Sequence, residues 1–291
     1  MARERQWKTA FLTILGYQSM ESAQVIESLQ RVGYEGIEWT ADGHFDPDKP
    51  ISALKELVKL THDAGMGVSQ IMDHKDLISL DDKVRKSKIE RTVRVIEAAG
   101  ECGLPAVSVL TGPAIWEEGH VRIGEDMSES NAWAQAIEAF ETFATTAASV
   151  GTVITSEAVY GMLAHDFYTH RYILDKVDHP AHKINFDPSH HVLYGIEDMK
   201  WLIHELKDRI AHVHIKDGIG IPQLNKFVFP LLGEGRVNWK DFFTALEEID
   251  YQGFCSMEFE SFRYYRQILK HDPEAAARTL LEQVNVLLED D

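Results

Sequence analysis

The chain has 291 residues, and its 44% hydrophobic and 26% charged content is ordinary for a globular protein with a sizeable core. A formal net charge of -18 disfavours nucleic acid as a partner, because nucleic-acid-binding proteins usually carry a basic surface. The same charge is compatible with a small neutral substrate and with divalent cations. The apolar runs fall short of the ~20 residues of a membrane span, and two cysteines, Cys102 and Cys255, make a disulfide framework improbable. We therefore expect a cytoplasmic protein with no membrane or nucleic-acid partner.

Short apolar runs alternate with longer amphipathic stretches along the whole chain, which is typical of strand–helix units on a parallel sheet. Strands are predicted at residues 8–16, 35–39, 66–72, 105–110, 152–157, 182–187, 209–215 and 253–258. Helices are predicted near residues 20–32, 51–64, 80–101, 128–149, 165–178, 197–207, 238–249 and 273–289. Ser79 and Ser128, each followed by acidic residues, are expected to cap the N-termini of the third and fourth helices.

About eight such units in somewhat over 250 residues predict an α/β fold of the closed (β/α)8, or TIM-barrel, type. The first strand is not followed by the G-x-G-x-x-G pattern of dinucleotide-binding folds. Nothing resembling a linker divides the chain, so residues 1–291 are expected to form a single domain. Two connections, 111–127 and 216–237, are long and should lie at the catalytic mouth. The second contains "FVFPLL", whose apolar residues suit either a cover over the substrate or contact with a second subunit of a homo-oligomer.

Ionisable side chains stand where four of the later strands end. In "RIAHVHIKD", period-two alternation directs His212, His214 and Lys216 into the barrel. By the same reasoning the fifth, sixth, seventh and eighth strands deliver four groups to one rim, namely Glu157, Asp187, His214 and Glu258. Glu260 falls on the same face as Glu258.

Any one of these carboxylates could be a turn residue or a helix cap, and Asp187 before Pro188 is by itself a helix-start pattern. Four together are different, because crowded carboxylates repel one another unless a cation compensates them. We therefore predict one divalent metal ion. Three carboxylates and one imidazole suit Mn²⁺ first, with Mg²⁺, Co²⁺ and Zn²⁺ as alternatives.

Four segments, "INFDPSHHVLYG", "IAHVHIKDG", "GEGRVNW" and "YQGFCSMEFES", occur in an order and spacing that resembles the xylose isomerase-like TIM barrels, the sugar phosphate isomerase/epimerase family. The resemblance implies that Glu157, Asp187, His214 and Glu258 hold the metal. It also implies that His190 contacts the substrate, which leaves the adjacent His191 at the surface or behind the site. The chain departs from the family's epimerases at Lys216, near which those enzymes carry an arginine.

The chemistry implied by this resemblance is proton transfer next to a carbonyl through a metal-stabilised enediolate. Glu157 and Glu258 are the expected catalytic bases, whereas His190, Lys216 and Glu38 are expected to bind a sugar or keto-sugar; for Glu38 a structural role is equally compatible with the sequence. One alternative is a lyase of the same fold, either an inosose-type dehydratase or an enzyme of 3-keto-glycoside β-elimination. More remote alternatives are a nuclease related to the apurinic endonucleases and a barrel that binds sugar without catalysis.

Overall fold

The computed structural model describes residues 5–45 and 48–289, and within them the predicted barrel is present. Its strands are β1 Lys8–Leu12, β2 Gly36–Thr40, β3 Gly67–Met72, β4 Ala106–Val109, β5 Val153–Glu157, β6 His182–Phe186, β7 Ile210–Ile215, β8 Ile219–Ile221, β9 Lys226–Val228 and β10 Phe254–Met257. All except β8 and β9 pair in parallel and close in the order β1-β10-β7-β6-β5-β4-β3-β2. The (β/α)8 prediction is therefore confirmed.

Helices surround the barrel on its outer side. They are α1 Ser22–Val32, α2 Pro50–Asp63, α3 Asp82–Glu101, α4 Glu129–Val150, α5 Phe167–Lys176, α6 Pro188–Leu193, α7 Met199–Leu206, α8 Trp239–Glu248, α9 Phe262–Gln267 and α10 Pro273–Glu289. In the part of the chain that the structure describes, none of them is long and apolar enough to cross a membrane. The short helices α6 and α9 were not predicted separately.

Along each strand, alternate side chains point into the barrel and outward to the helices. On β2 the indole of Trp39 points outward and donates a hydrogen bond to Thr61 of α2 at 3.1 Å, so the neighbouring Glu38 points into the barrel. The outward-facing residues and the inner faces of the helices form the main apolar core. The barrel interior, in contrast, holds polar side chains such as Gln70 and Thr155, joined by a 2.8 Å hydrogen bond.

Backbone conformation and capping explain why the predicted end of the first strand and the predicted cap of the third helix were wrong. The first strand ends at Leu12 rather than at residue 16, because Leu15 and Gly16 have positive φ angles of 47° and 91°, which a strand cannot accommodate. Ser79 does not cap the third helix. Asp81 does so, with its carboxylate accepting the N–H groups of Lys83 and Val84, while the Ser79 hydroxyl accepts the N–H of Asp81. Ser128 caps α4 as predicted.

The long connection 216–237 forms an antiparallel hairpin, β8–β9, that the sequence did not predict. Its two ends are joined by Asp217, a fully buried carboxylate directly after Lys216. One oxygen of Asp217 accepts the N–H groups of Gly218 and Val237, and the other accepts those of Gly233, Gly235 and the Trp239 indole. Hydrogen bonds to Asp217 thus hold the segments "KDG" and "GEGRVNW" together where the connection begins and ends. We call these two segments the loop base.

Candidate metal and substrate site

Four strand ends bring the predicted ligands together at one rim of the barrel. Glu157 is the last residue of β5, Asp187 follows β6, His214 lies near the end of β7, and Glu258 follows β10. One potential ligand atom from each lies within 4.8 Å of those of the other three. Because the barrel order is β10-β7-β6-β5, Glu258 and Glu157 stand at the two ends of this arc and face each other across it.

The imidazole of His214 is held between this group and a carboxylate deeper in the barrel. Its Nδ1 lies 3.1 Å from Glu258 Oε2 and 3.6 Å from Glu157 Oε2, while its Nε2 lies 3.1 Å from Glu38 Oε2. Burial would raise the pKa of Glu38, but the neighbouring His214 and His212 outweigh it and lower that pKa to about 2. Burial would lower the pKa of His214, but Glu38, Glu157 and Glu258 outweigh it and hold that pKa well above its usual value. The ionised Glu38 holds the proton on Nε2, so a cation at the upper carboxylates would displace the proton on Nδ1 and bind there.

Glu38 lies inside the barrel, whereas a residue that binds the substrate is expected at the open mouth. It is fully buried beneath His214, and its other oxygen, Oε1, accepts a 2.8 Å hydrogen bond from the amide of Gln70. With both oxygens engaged inside the barrel, this carboxylate orients His214 rather than facing the open mouth. The structural role that the sequence left open is the one that the geometry favours.

Lys216 lies among the carboxylates at the rim. Its Nζ donates to Glu258 Oε2 at 2.7 Å and to Glu260 Oε2 at 3.1 Å, and it lies 2.9 Å from Asp187 Oδ2. Burial would lower the pKa of this lysine, but Asp187, Glu258 and Glu260 hold it well above its usual value. The residue is therefore a buried ammonium ion in contact with two of the candidate ligands.

The two facing glutamates have opposite electrostatic surroundings. Burial raises the pKa of Glu157 to about 7, although His214 opposes this. Burial also disfavours ionisation of Glu258, but Lys216 and His214 outweigh it and lower the pKa of that group. Carboxyl groups whose pKa values are pushed apart in one cleft are an arrangement suited to acid and base roles.

His190 completes the site from α6. The backbone N–H of Tyr160 donates to its Nδ1 at 3.2 Å, which places the proton of the neutral ring on Nε2. Nε2 lies 3.4 Å from Asp187 Oδ2 and 3.7 Å from Glu157 Oε1. Burial and the charge of Lys216 lower the pKa of His190 well below its usual value, so the ring is a neutral N–H donor aimed into the site.

Carboxyl groups outnumber cationic side chains among the described residues around this site. Four carboxyl groups at the rim and one beneath it surround Lys216 and His214, and Asp187 Oδ2 is buried without a hydrogen bond, since Lys216 directs its N–H groups to Glu258 and Glu260 and contacts the nearby His190 Nε2. The carboxylates are Glu38, Glu157, Asp187, Glu258 and Glu260. A divalent ion fits both the excess charge and the oxygen-rich donor set.

A second group of possible ligands, Glu38, His212 and His214, lies deeper in the barrel. Its members are already paired: His212 Nδ1 lies 3.0 Å from Asn185 Oδ1, and its Nε2 lies 3.1 Å from the Ser256 hydroxyl. Together with the Glu38–His214 contact, these bonds account for the polar atoms without an ion. We therefore assign this group to the support of the upper site.

Two further residues, one missed in the sequence and one left between two positions, lie next to the site. Asn185 donates to Glu157 Oε2 at 2.9 Å and faces inward, as the alternation of "INFD" could have indicated. His191 was expected at the surface or behind the site, and it is buried: it is 1% exposed and stacks on Phe186 with ring centroids 5.3 Å apart. It faces the apolar layer because it lies one position beyond His190 on α6, and successive helical residues point about 100° apart.

A family model described as "Xylose isomerase-like TIM barrel" matches residues 26–285. The chain belongs to this family. Among solved structures, a zinc-bound IOLI protein matches 97% of this chain and 98% of its own at 16% identity, with a TM-score of 0.75. The 3-keto-D-glucoside 4-epimerase YcjR from E. coli matches 96% of this chain and 99% of its own at 18% identity, with a TM-score of 0.73.

A third match is the probable 3-DHS dehydratase AsbF from Bacillus anthracis, which covers 94% of this chain and 97% of its own at 17% identity, with a TM-score of 0.72. At such identities the similarity establishes the fold of this family member. Its activity has to be argued from the site.

Proposed function

We propose that this protein is a metal-dependent sugar isomerase or epimerase that moves a proton next to a carbonyl group. The observation that carries the proposal is the position of Glu157 and Glu258 on opposite sides of one group of four potential metal ligands. A substrate carbon lying between two carboxyl groups can lose a proton to one face and receive a proton on the other. The E. coli neighbour named as an epimerase on this fold agrees with such a role.

We further propose that Glu157, Asp187, His214 and Glu258 hold one divalent ion, with Mn²⁺ as the first candidate and Mg²⁺, Co²⁺ or Zn²⁺ as alternatives. A bound ion of this kind supplies Lewis-acid polarisation of a ketone and its neighbouring hydroxyl. The zinc atom bound by the IOLI protein supports a metal in this fold. Glu38 holds the Nε2 side of His214 and leaves Nδ1 directed at Glu157 and Glu258, where an ion would replace its proton, in the manner of a carboxylate–histidine–metal arrangement.

The remaining polar groups bind the substrate. The Nε2–H of His190 donates to a substrate oxygen near Asp187, and the ammonium of Lys216 contacts a second one. A substrate oxygen that accepts a hydrogen bond from Lys216 weakens the 2.7 Å ion pair between Lys216 and Glu258. Because the lysine then lowers the pKa of Glu258 less, Glu258 becomes a stronger base. Burial raises the pKa of Glu157, so Glu157 is the group that carries a proton and donates it to the opposite face of the substrate carbon.

The test is turnover of a keto-sugar panel by the Mn²⁺-reconstituted protein in D₂O. We expect isomers of the substrate in which one solvent deuterium replaces hydrogen at the carbon next to the carbonyl. Glu258→Gln should lower kcat by ~10²–10⁴-fold, as removal of a general base does, whereas the exposed Glu282→Gln should behave like the parent protein. Near-normal turnover by Glu258→Gln would refute the assignment.

The same base and metal also support elimination of a β-leaving group, and one structural neighbour is named as a probable dehydratase. The product mass distinguishes the two reactions, because isomerisation and epimerisation conserve mass and elimination does not. A product lighter by one water or by an aglycone would therefore assign the lyase reaction.

A further inference from the structure

A large cavity opens beside the candidate metal site, against strand β9. Its volume is about 710 Å³, which is in the range of pockets that hold drug-sized ligands. Strand β9 with the residues that follow it to Leu231 forms one side, and the segment from Glu260 through α9 forms the other. Neither the metal ligands nor Lys216 line it, so it extends the site in a direction that the chemistry described above does not use.

Aromatic rings dominate the hairpin side of this cavity. Tyr160 packs against Phe227 with ring centroids 4.5 Å apart and against Phe229 with centroids 5.8 Å apart. On the opposite side, Phe262 and Ile268 are 41% and 60% exposed. Arg263, Arg266 and Gln267 add a polar rim.

The cavity is continuous with the reaction centre through residues that belong to both. Glu260 lines the cavity and accepts a hydrogen bond from Lys216 at 3.1 Å. The ring of Phe229 also lines it and lies 4.7 Å from Lys216 Nζ. Tyr160, a third lining residue, donates its N–H to His190. A ligand held by Lys216 and His190 would therefore have its far end in the aromatic cavity.

From this continuity we propose that the substrate is a sugar that carries an aromatic substituent, with the sugar at the metal site and the aromatic ring between Phe227 and Phe262. This inference rests on the proposed function and names its substrate class. The hydroxyl groups of an unsubstituted sugar form no hydrogen bonds with the rings of Phe227 and Phe229, so such a sugar gains little from this cavity. An aryl ring instead buries apolar surface and meets other rings in the offset or edge arrangements that aromatic groups favour.

The test compares two keto-glucosides that differ only in carrying a phenyl or a methyl group on the anomeric oxygen. Binding to the Mn²⁺-loaded protein is measured by calorimetry, and turnover is measured separately. We expect the phenyl compound to bind at least about tenfold more tightly, which corresponds to about 1.4 kcal/mol. Phe227→Ala and, independently, Phe262→Ala should reduce this ratio to threefold or less. Ile221→Ala, on the same hairpin but outside the cavity, should leave the ratio unchanged.

Each outcome separates this inference from the proposed function. Equal affinities for the two compounds, with turnover of either, overturn the aromatic substituent and leave the isomerase or epimerase standing. A phenyl advantage that persists in both phenylalanine variants also overturns it, because the ring then binds elsewhere. A phenyl advantage that both variants abolish, without turnover of any keto-sugar, supports the cavity and contradicts the proposed reaction. If neither compound binds, the proposal that the substrate carries an aromatic substituent is contradicted. Turnover of a free keto-sugar then tests the proposed isomerase or epimerase reaction separately.

Discussion

The buried carboxylate of Asp217 offers the sharpest test of how the connection 216–237 is held. Its two oxygens accept five hydrogen bonds, at 2.8 and 3.1 Å on Oδ1 and at 3.0, 3.1 and 3.1 Å on Oδ2. Asp217→Asn keeps the shape of the side chain but replaces one acceptor oxygen by an NH₂ group, which can only donate. The substitution therefore removes acceptors without creating a cavity.

The size of the effect follows from which oxygen is lost. The least costly orientation keeps the amide oxygen on the three donors of the Oδ2 side and turns the NH₂ group towards Gly218 and Val237. Two hydrogen bonds to a charged acceptor are then lost, each contributing about 1.5–3 kcal/mol. We expect the free energy of unfolding to fall by about 3–6 kcal/mol.

Urea denaturation followed by far-UV circular dichroism measures this change. Asp250→Asn is a suitable control, because its carboxylate accepts one side-chain hydrogen bond at an exposed position; we expect it to change the free energy of unfolding by less than about 0.5 kcal/mol. A loss below about 1 kcal/mol in Asp217→Asn would show that the loop base does not depend on this carboxylate.

Three further predictions concern Glu38, Gly235 and His182. Glu38→Gln should weaken Mn²⁺ binding by ~10–100-fold, measured by calorimetry, because His214 loses the carboxylate that orients it; unchanged affinity would separate Glu38 from the metal. Gly235→Ala should destabilise the fold by about 1–3 kcal/mol in urea denaturation, since an added Cβ would lie 2.1 Å from Asp217 Oδ1; wild-type stability would mean that this contact relaxes freely. Burial lowers the pKa of His182 from 6.5 to about 4, so below pH 6.5 the unfolded chain takes up a proton that the folded chain excludes. Stability should therefore fall between pH 6.5 and 4 by up to about 3 kcal/mol from this residue, and His182→Gln should show a smaller fall over that range; an equal fall would assign the acid sensitivity to other groups.

The sequence predicted the barrel and the rim because both depend on local, periodic signals. Alternation along a strand decides which side chain faces inward, and parallel strands of a barrel end at the same rim, so Glu157, Asp187, His214 and Glu258 could be brought together without coordinates. The same alternation would have shown that Asn185 faces inward beside Glu157.

The features that were missed depend on contacts between distant parts of the chain. Glu38 lies 176 positions from His214, and period-two alternation gives its direction but not its depth below the rim. The cap of the third helix was missed because Ser79 and Asp81 are both good capping residues, and only the backbone conformation of Asp81 decides between them. The β8–β9 hairpin lacks the strong turn dipeptides that identify hairpins in a sequence.

Metal content is the most direct test of the central claim that four strand ends form one cation site. It is measured by inductively coupled plasma mass spectrometry after metal removal, Mn²⁺ reconstitution and dialysis. We expect about one ion per chain, a marked loss of that ion in Asp187→Asn and Glu258→Gln, and its retention in Glu260→Gln, a neighbouring carboxylate that also contacts Lys216 but lies outside the group of four. A protein that retains no ion after reconstitution, or equal retention by all three variants, would contradict the assignment.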